Sequence, residues 1–398
     1  MIRQAVILAG GLGTRLRPHT EKTPKPMVPV GGRPFLEYMV NHLKKSGIKD
    51  IIICASYLHE HIEEHFGDGA DFGVKIRYSV EPEPLGTGGA LKLAEKLLDS
   101  KFVLLYGDNF WPLNYREIFA EYEERNTDGL MMVFDGPSKT TKDNVAVSDG
   151  YLTLYDKSRT AAGLKGIDGG LLLFKKNITK LLPEGKSSLE ETVYPKLIKN
   201  RQFAAMSAGG MYYHVSVAEK LPALEKVFKD FRSKHTVFLD RDGVINKKMP
   251  KGDYVKKWDD FEFLPGAIDA VRLLGENAYS VLMITNQAGI ARGFMTEADL
   301  AGIHLKMVAG MGKSGAYLDR IYNCPHKRDD KCACRKPATA LIDRAARDFG
   351  IDPKLGFLIG DDDRDMEMAE NIGCKGIQVT GGNTLLDVAK EMTKRDSK

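Results

Sequence analysis

Short apolar runs alternate with amphipathic stretches through the first half of the chain. The runs at 5–9, 51–55, 74–78 and 102–106 have the length and apolar composition of buried strands, and 35–46 has a helical spacing of apolar positions. A strand followed by a helix, repeated several times, is the pattern of parallel strands joined by crossover helices. The pattern therefore predicts a doubly wound α/β fold with a mostly parallel sheet.

The same alternation begins again near Val237. Three apolar runs, VFLD, VLMITN and GFLIGDDD, end in polar residues and are separated by helical sequence. Between the two halves, EKVFKDFRSKH is charged and lacks Pro and Gly, which predicts the end of a helix and a short connector at 232–234. Because 398 residues exceed what one core usually supports, we place two α/β domains at 1–232 and 233–398.

Composition and charge mainly exclude certain classes of protein. No run approaches the roughly 20 apolar residues of a membrane span, and the first ten residues read as a strand rather than as a signal peptide. We therefore expect a soluble, cytoplasmic protein with no membrane partner. The net charge is only +4 and the basic residues are dispersed, which argues against nucleic acid as a partner. Phosphorylated small molecules remain as the expected partners. The sequence does not indicate an oligomeric state.

A glycine-rich turn follows the first strand. Gly10, Gly11 and Gly13 remove side chains that would keep a triphosphate away from backbone N–H groups. Arg15 and Lys25 add positive charge where charge would build up on a phosphorus centre. The third glycine of a dinucleotide fingerprint and the Gly-Lys-Ser/Thr of a P-loop are both absent. The turn predicts a different triphosphate site, with a tight turn that binds nothing as the alternative.

The longer string GGLGTRLRPHTEKTPKPMVPV resembles the signature of the sugar-1-phosphate nucleotidyltransferases, and EPEPLGTGGAL resembles the loop with which that family recognises the nucleobase. The resemblance implies a GT-A-like fold and nucleotide binding by Gly10, Gly11, Gly13, Thr14, Gly86, Thr87 and Gly88. It also implies that Asp108, at the end of FVLLYGD, holds Mg²⁺ and that Lys157 in YDKS contacts the sugar phosphate. The segments with Gly169 and Glu190 resemble those that recognise the sugar.

One part of this family pattern is missing. The second metal aspartate, usually in a phrase like Asp-x-Gly-Thr, falls in MYYHVSV, where we place Tyr213 at the carboxylate position. A phenol is a poor ligand for Mg²⁺, which favours carboxylate oxygen. Three interpretations are open: one metal ion suffices, another acid such as Asp168 contributes, or the transferase half is weakened.

Two aspartates follow the first strand of the second half, in HTVFLDRDGVIN. Asp240 and Asp242 are two positions apart, so extended backbone would project both to the same side. The carboxyl end of a parallel strand is the usual ligand crevice of an open α/β sheet. There Asp240 can attack phosphorus to form an aspartyl phosphate, and Asp242 can protonate the leaving alkoxide and then activate water.

Further polar residues complete this pattern in order. Thr285 and Asn286 follow VLMI, Lys336 lies in CRKP, and Asp361 follows GFLIG. We expect Thr285 and Lys336 to neutralise phosphoryl oxygens, and Asp361 to complete a Mg²⁺ site with Asp240 and the backbone carbonyl of Asp242. The set resembles the haloacid dehalogenase phosphatase superfamily and implies its Rossmannoid fold. The segment from Asp242 to Thr285 is short, which predicts a small cap or none.

The segment CPHKRDDKCACRKP adds a soft donor set with the composition of a structural zinc site, consisting of Cys324, His326, Cys332 and Cys334. It leads directly into Arg335 and Lys336, so zinc would shape the part of the site that binds phosphate. With TNQAGIARGFMTEADL and WDDFEFLPGAIDAV, the loop resembles the heptose 1,7-bisphosphate phosphatases. Histidinol-phosphate phosphatases share the aspartates and the zinc loop, and Asp362 stands where the heptose enzymes often have lysine.

The two resemblances imply consecutive reactions. Removal of the 7-phosphate from heptose 1,7-bisphosphate leaves heptose 1-phosphate, and the N-terminal sequence resembles guanylyltransferases that make GDP-D-glycero-α-D-manno-heptose. The expected small-molecule partners are therefore heptose bisphosphate, heptose 1-phosphate and GTP, with Mg²⁺ at both sites. The alternatives are another phosphosugar or histidinol phosphate as substrate, or a regulatory protein that binds nucleotide without turnover.

Overall fold

The computed structural model describes residues 2–136, 139 and 141–396, without the side chains of the last two. Within these residues the chain forms two compact units, one up to Glu225 and one from Lys226 onward. The division falls within helix α7 (Leu221–Lys234), a few residues before the boundary that the sequence suggested.

The predicted connector at 232–234 is wrong, because these residues are the last turn of α7. Ser233 is fully buried, and its hydroxyl donates to the Lys229 carbonyl and accepts from the Asp352 N–H at 2.9 Å. Long-range contacts of this kind extend the helix through a segment whose charges suggested a linker.

The first unit contains a nine-stranded mixed sheet and two small two-stranded sheets. Its strands are β1 (Gln4–Leu8), β2 (Pro29–Val30), β3 (Arg33–Pro34), β4 (Asp50–Ala55), β5 (Lys75–Val80), β6 (Lys101–Tyr106), β7 (Asn109–Phe110), β8 (Gly129–Phe134), β9 (Val145–Ser148), β10 (Tyr151–Tyr155), β11 (Ile167–Lys175), β12 (Phe203–Ala208) and β13 (Tyr213–His214). Its helices are α1 (Phe35–Lys45), α2 (His59–Phe66), α3 (Gly86–Leu93), α4 (Tyr115–Arg125), α5 (Leu189–Thr192), α6 (Tyr194–Lys199) and the start of α7.

The large sheet has the order β5-β4-β1-β6-β11-β8-β12-β10-β9. The strands β5, β4, β1 and β6 are parallel, and β11 is antiparallel to both β6 and β8. Leu8 pairs with Tyr106, so the carboxyl ends of β1 and β6 lie side by side. This pairing brings the glycine-rich turn after β1 next to the segment that carries Asp108.

The second unit is a five-stranded parallel sheet in the order β16-β15-β14-β17-β18. Its strands are β14 (Thr236–Leu239), β15 (Ser280–Asn286), β16 (Arg320–Cys324), β17 (Phe357–Gly360) and β18 (Lys375–Gln378). Its helices, after the end of α7, are α8 (Ala267–Glu276), α9 (Glu297–Lys313), α10 (Ala340–Phe349), α11 (Asp363–Ile372) and α12 (Leu385–Asp396).

Helices cover both faces of this second sheet. Along β14, Val237 and Leu239 belong to one buried cluster and Phe238 to another, as expected for alternate side chains of a strand covered on both sides. Strand order reverses on either side of β14, which opens a crevice at the carboxyl ends of the strands. The predicted α/β class with mostly parallel sheets is confirmed. No helix in the described part of the chain is both long and apolar enough to span a bilayer.

Candidate active sites

A cavity of about 450 Å³ lies at the carboxyl ends of β1 and β6. It is lined by most of the predicted nucleotide residues: Gly10, Gly11, Gly13, Thr14, Arg15, Lys25, Gly86, Thr87 and Asp108. Two of the glycines have a local structural reason, a backbone conformation at Gly13 and a close side-chain contact at Gly10. Gly13 has a φ of 62°, in the left-handed region, and a Cβ on Gly10 would lie 2.5 Å from Oε1 of Glu81. Glu81, a buried carboxylate that the sequence did not single out, also lines the cavity.

Asp108 lies between two cationic or potentially cationic side chains. The Lys25 ammonium donates to its Oδ2 atom, and Nε2 of His214 lies 3.4 Å from the same oxygen. Burial alone would raise the pKa of Asp108, but the hydrogen bond from His214 and the charge of Lys25 hold it well below its usual range. The carboxylate is therefore ionised beside the glycine-rich turn, where it can bind a divalent cation.

Tyr213, which we placed at the second metal position from the sequence, packs into the core, and the next residue, His214, lies beside Asp108. Tyr213 is 1% exposed and stacks on Phe110, with ring centroids 6.3 Å apart. The strand β13 pairs with β7, and successive residues of a strand face opposite sides. Because Tyr213 faces the core, His214 faces Asp108. No pattern in the sequence indicates this orientation, since a two-residue strand is too short to show its alternation.

The residues predicted for nucleobase and sugar recognition meet at Glu190. Its carboxylate accepts from the hydroxyls of Thr87 and Tyr106, both at 2.9 Å. Asp168 lies near this cluster and accepts from the Gly170 N–H at 2.9 Å. Burial raises the pKa of Asp168 to about 7, although the hydrogen bond from Gly170 lowers it. The negative charge of Glu190 adds to the rise. The cluster offers acidic and hydroxyl groups suited to binding sugar hydroxyls.

Besides Glu190, three predicted residues do not line the cavity. Lys157 is 68% exposed and lies 3.8 Å from Glu191, so the structure does not place its ammonium near the triphosphate turn. Gly88 is in the first turn of α3, where a Cβ would lie 2.7 Å from Oγ of Ser187. A Cβ on Gly169 would lie 2.5 Å from the ring of Trp111. Both glycines therefore allow close packing behind the cavity rather than ligand contact.

A second cavity, of about 510 Å³, lies at the carboxyl end of β14. The predicted residues that line it are Asp240, Asp242, Asn286, Arg335 and Lys336. The Lys336 ammonium lies 2.7 Å from Oδ1 of Asp240 and 2.7 Å from Oδ1 of Asp365. Burial raises the pKa of Asp240 to about 6, although the charge of Lys336 lowers it. The negative charge of Asp365 adds to the rise. Asn286 accepts from the backbone N–H of Lys336 at 3.1 Å, which anchors the lysine segment to β15.

The second aspartate has a different environment from the first. Arg241, whose side chain is buried, donates to both carboxylate oxygens of Asp242, at 2.9 and 3.0 Å. Asn246 and Gln287 donate to the same carboxylate at 2.9 and 3.0 Å. Burial opposes ionisation, but the charge of Arg241 and these hydrogen bonds lower the pKa of Asp242. The side chain of Gln287 also donates to the hydroxyl of Thr285, which is buried at the end of β15.

Three carboxylates form a candidate site for a divalent cation. Oxygens of Asp240, Asp361 and Asp365 all lie within 4.8 Å of one another. Oδ1 of Asp361 is buried and accepts no hydrogen bond from the described residues, so it is available as a ligand. Oxygen-only donors suit a hard cation such as Mg²⁺. Asp365 was not predicted, although its place in the first turn of α11, four positions after Asp361, could have suggested it.

The predicted zinc ligands converge as a compact cluster. The three sulfur–sulfur distances among Cys324, Cys332 and Cys334 are 3.3, 3.5 and 3.6 Å, and Nδ1 of His326 is 3.2 Å from Sγ of Cys334. Ligands about 2.3 Å from a tetrahedral zinc ion would be roughly 3.8 Å apart, so the cluster needs only a slight expansion. Arg335 donates to the His326 carbonyl at 3.1 Å, which connects the cluster to the second cavity.

Comparisons with known proteins give a match for each half. Residues 4–150 match the family model described as nucleotidyl transferase, and residues 333–396 match the model described as haloacid dehalogenase hydrolase-like. The chain is 37% identical over 220 residues to the D-glycero-α-D-manno-heptose 1-phosphate guanylyltransferase of Campylobacter jejuni, covering 53% of this chain and 97% of that protein.

A second relative matches a shorter stretch. Over 154 residues the chain is 37% identical to the D-glycero-α-D-manno-heptose-1,7-bisphosphate 7-phosphatase of Mycobacterium tuberculosis, covering 37% of this chain and 80% of that protein. Among solved structures, HddC from Yersinia pseudotuberculosis aligns with a TM-score of 0.50 and 28% identity, covering 57% of this chain and 100% of that one.

Proposed function

The chain belongs both to the heptose 1-phosphate guanylyltransferases and to the heptose-1,7-bisphosphate 7-phosphatases, and we propose that it catalyses two consecutive steps of nucleotide-sugar synthesis. The second unit hydrolyses the 7-phosphate of D-glycero-D-manno-heptose 1,7-bisphosphate, and the first unit transfers GMP from GTP to the resulting heptose 1-phosphate. The proposal is supported by two separate cavities whose lining combines cations with carboxylates, one at Lys25 and Asp108 and one at Asp240 and Lys336.

In the phosphatase step, a carboxylate oxygen of Asp240 attacks phosphorus as the bond from phosphorus to the sugar oxygen breaks. Asp242 gives its proton to the leaving alkoxide and then takes a proton from the water that hydrolyses the aspartyl phosphate. The lowered pKa of Asp242 favours the second of these roles. Lys336 holds Asp240 and offsets phosphoryl charge. A Mg²⁺ ion bound by Asp240, Asp361 and Asp365 would add further positive charge at the phosphoryl group.

In the transferase step, a phosphate oxygen of heptose 1-phosphate attacks the α-phosphorus of GTP, and pyrophosphate leaves. The backbone N–H groups of the glycine-rich turn, with Arg15 and Lys25, bind the triphosphate and stabilise the charge that builds up on it. Thr87 contacts the nucleotide from the cavity wall, and Glu190 accepts the hydrogen bond that fixes its hydroxyl. Asp108, with His214 beside it, would hold a divalent cation, which would offset negative charge on the phosphates.

The surroundings of Asp362 support a doubly phosphorylated substrate for the second cavity. Arg364 donates to both oxygens of this carboxylate, at 2.8 and 2.9 Å, and Lys248 lies 3.4 Å away. Both cations line the cavity, so the charge of Asp362 is offset at the position where the related enzymes often carry lysine. Such a wall suits a second phosphate better than the ammonium group of histidinol phosphate.

A coupled assay tests the proposal. Full-length protein with heptose 1,7-bisphosphate, GTP and Mg²⁺ or another divalent cation should release one phosphate and one pyrophosphate for each GDP-heptose formed. Phosphate, pyrophosphate and the nucleotide sugar are measured in the same reaction, with both anomers of the bisphosphate. Faster hydrolysis of histidinol phosphate or of a hexose bisphosphate would refute the substrate assignment. Absence of a nucleotide sugar with every donor would refute the transferase step.

Removal of one zinc ligand should weaken the phosphatase without affecting the transferase. We expect Cys332→Ser to lower bound zinc towards zero and phosphatase kcat/KM by about tenfold to a hundredfold, because the loop that positions Arg335 and Lys336 loses its clamp. Metal content by mass spectrometry and phosphate release are the measurements, and Cys374→Ser, outside the cluster, is the matched control. Full phosphatase activity in zinc-free protein would contradict a structural role for the metal.

A further inference from the structure

We propose that the cation site of the first unit is selective for a first-row transition ion that accepts imidazole, such as Co²⁺, over Mg²⁺, because its second protein ligand is His214. The inference rests on the proposed nucleotidyl transfer, for which a divalent cation would supply positive charge at the phosphates. It goes further in assigning His214 as a metal ligand and in predicting which class of ion the site prefers.

The geometry allows both side chains to bind one ion. Nε2 of His214 is 3.4 Å from Oδ2 of Asp108. Two neighbouring ligands at about 2.1 Å from a single octahedral ion are roughly 3.0 Å apart, so a shift of a few tenths of an ångström would bring both atoms into the coordination sphere. A ligand pair that already approaches this spacing needs little rearrangement when an ion binds.

The backbone holds these two residues in place. His214 pairs with Asn109 across β13 and β7, and the N–H of Val215 donates to the Asp108 carbonyl at 3.0 Å. On the opposite side of β13, Tyr213 is locked in the aromatic core. Rotation of this strand would bury His214 and expose Tyr213, so the imidazole is fixed on the side that faces Asp108.

The chemistry of the two ligands determines the preference. Mg²⁺ binds oxygen ligands and loses water reluctantly, whereas imidazole nitrogen binds the later first-row ions more strongly, in the order of the Irving–Williams series. Exchange of a carboxylate for a neutral imidazole also removes one negative charge from the site, which weakens binding of a hard cation most. Lys25 already contacts Asp108, and this further lowers the local negative charge.

The test compares His214→Asp with the wild-type chain, both as full-length, zinc-loaded protein. In the wild type, half-maximal pyrophosphate release from GTP and heptose 1-phosphate should need at least tenfold less Co²⁺ than Mg²⁺. The substitution restores a second carboxylate, so the Mg²⁺ requirement should fall at least tenfold and the advantage of Co²⁺ should disappear. His61→Asp, on the exposed side of α2, is the matched control and should leave the metal ratio unchanged.

A spectroscopic titration provides a second measurement that does not depend on turnover. Co²⁺ added to the wild type should give a visible d–d band that is weaker or shifted in His214→Asp and His214→Asn, because a nitrogen ligand is lost. Identical spectra in all three proteins would overturn the assignment of His214 as a ligand. An equal loss of activity with every metal in His214→Asp, at an unchanged metal ratio, would also overturn it. If no nucleotide sugar forms under any condition, the proposed reaction fails, but the spectra still decide the ligand assignment.

Discussion

Asp240→Asn is expected to reduce phosphate release by at least about 10⁴-fold, because the amide cannot attack phosphorus and no aspartyl phosphate can form. Nucleotidyl transfer to heptose 1-phosphate should continue at the wild-type rate, since that cavity lies in the other unit. Phosphate release from the bisphosphate and acid-quenched labelling of the protein are the two measurements. Asp343→Asn, on the exposed side of α10, is the matched control and should retain both activities.

The neighbouring aspartate distinguishes nucleophile from acid and base. Asp242→Asn retains the nucleophile and loses the proton-transfer group, so the phosphorylated protein should form slowly and persist for longer than in the wild type. Phosphate release that survives Asp240→Asn within tenfold of the wild-type rate would show that another group, or water directly, attacks phosphorus. The phosphatase mechanism proposed here would then fail.

Asp108→Asn is expected to lower nucleotidyl transfer by about a thousandfold, since it removes both a metal-binding carboxylate and the partner of Lys25. The phosphatase activity of the same preparation is the internal control for correct folding. Pyrophosphate and GDP-heptose are measured with saturating GTP and with several divalent cations, so that a changed metal preference is not mistaken for loss of the reaction.

A matched substitution accompanies this experiment. Asp99→Asn replaces an exposed carboxylate of the same unit and should leave transfer unchanged. Transfer by Asp108→Asn within tenfold of the wild-type rate would mean that the cation is held by other groups, or that the reaction proceeds without it. Either outcome would remove Asp108 from the proposed mechanism.

The sequence predicts much of each candidate site wherever its residues are close together along the chain. The glycine-rich turn lies directly after its strand, and the four candidate zinc ligands fall between Cys324 and Cys334. Asp240 and Asp242 are likewise separated by a single residue. In these cases strand or loop geometry alone restricts where the side chains can lie, so residue type and spacing were enough to predict that they come together.

Other features were decided by contacts between distant parts of the chain. Thr87 and Glu190, which form a hydrogen bond, are 103 residues apart in sequence. Whether His214 or Tyr213 lies next to Asp108 depends on which side of β13 packs against the aromatic core. Lys157 matched a family motif, yet the fold leaves it exposed.

Sequence by itself therefore determined the α/β elements, the two candidate phosphate-binding turns and the candidate zinc donors, because these depend on local spacing and on where strands end. Only the tertiary structure decided that Asp365 joins Asp240 and Asp361, that His214 faces Asp108, and that α7 continues to Lys234. The physical reason is that a side chain's partner across the fold depends on strand register and on which face of an element is buried. Both are set by the packing of the whole unit, which no local stretch of sequence encodes.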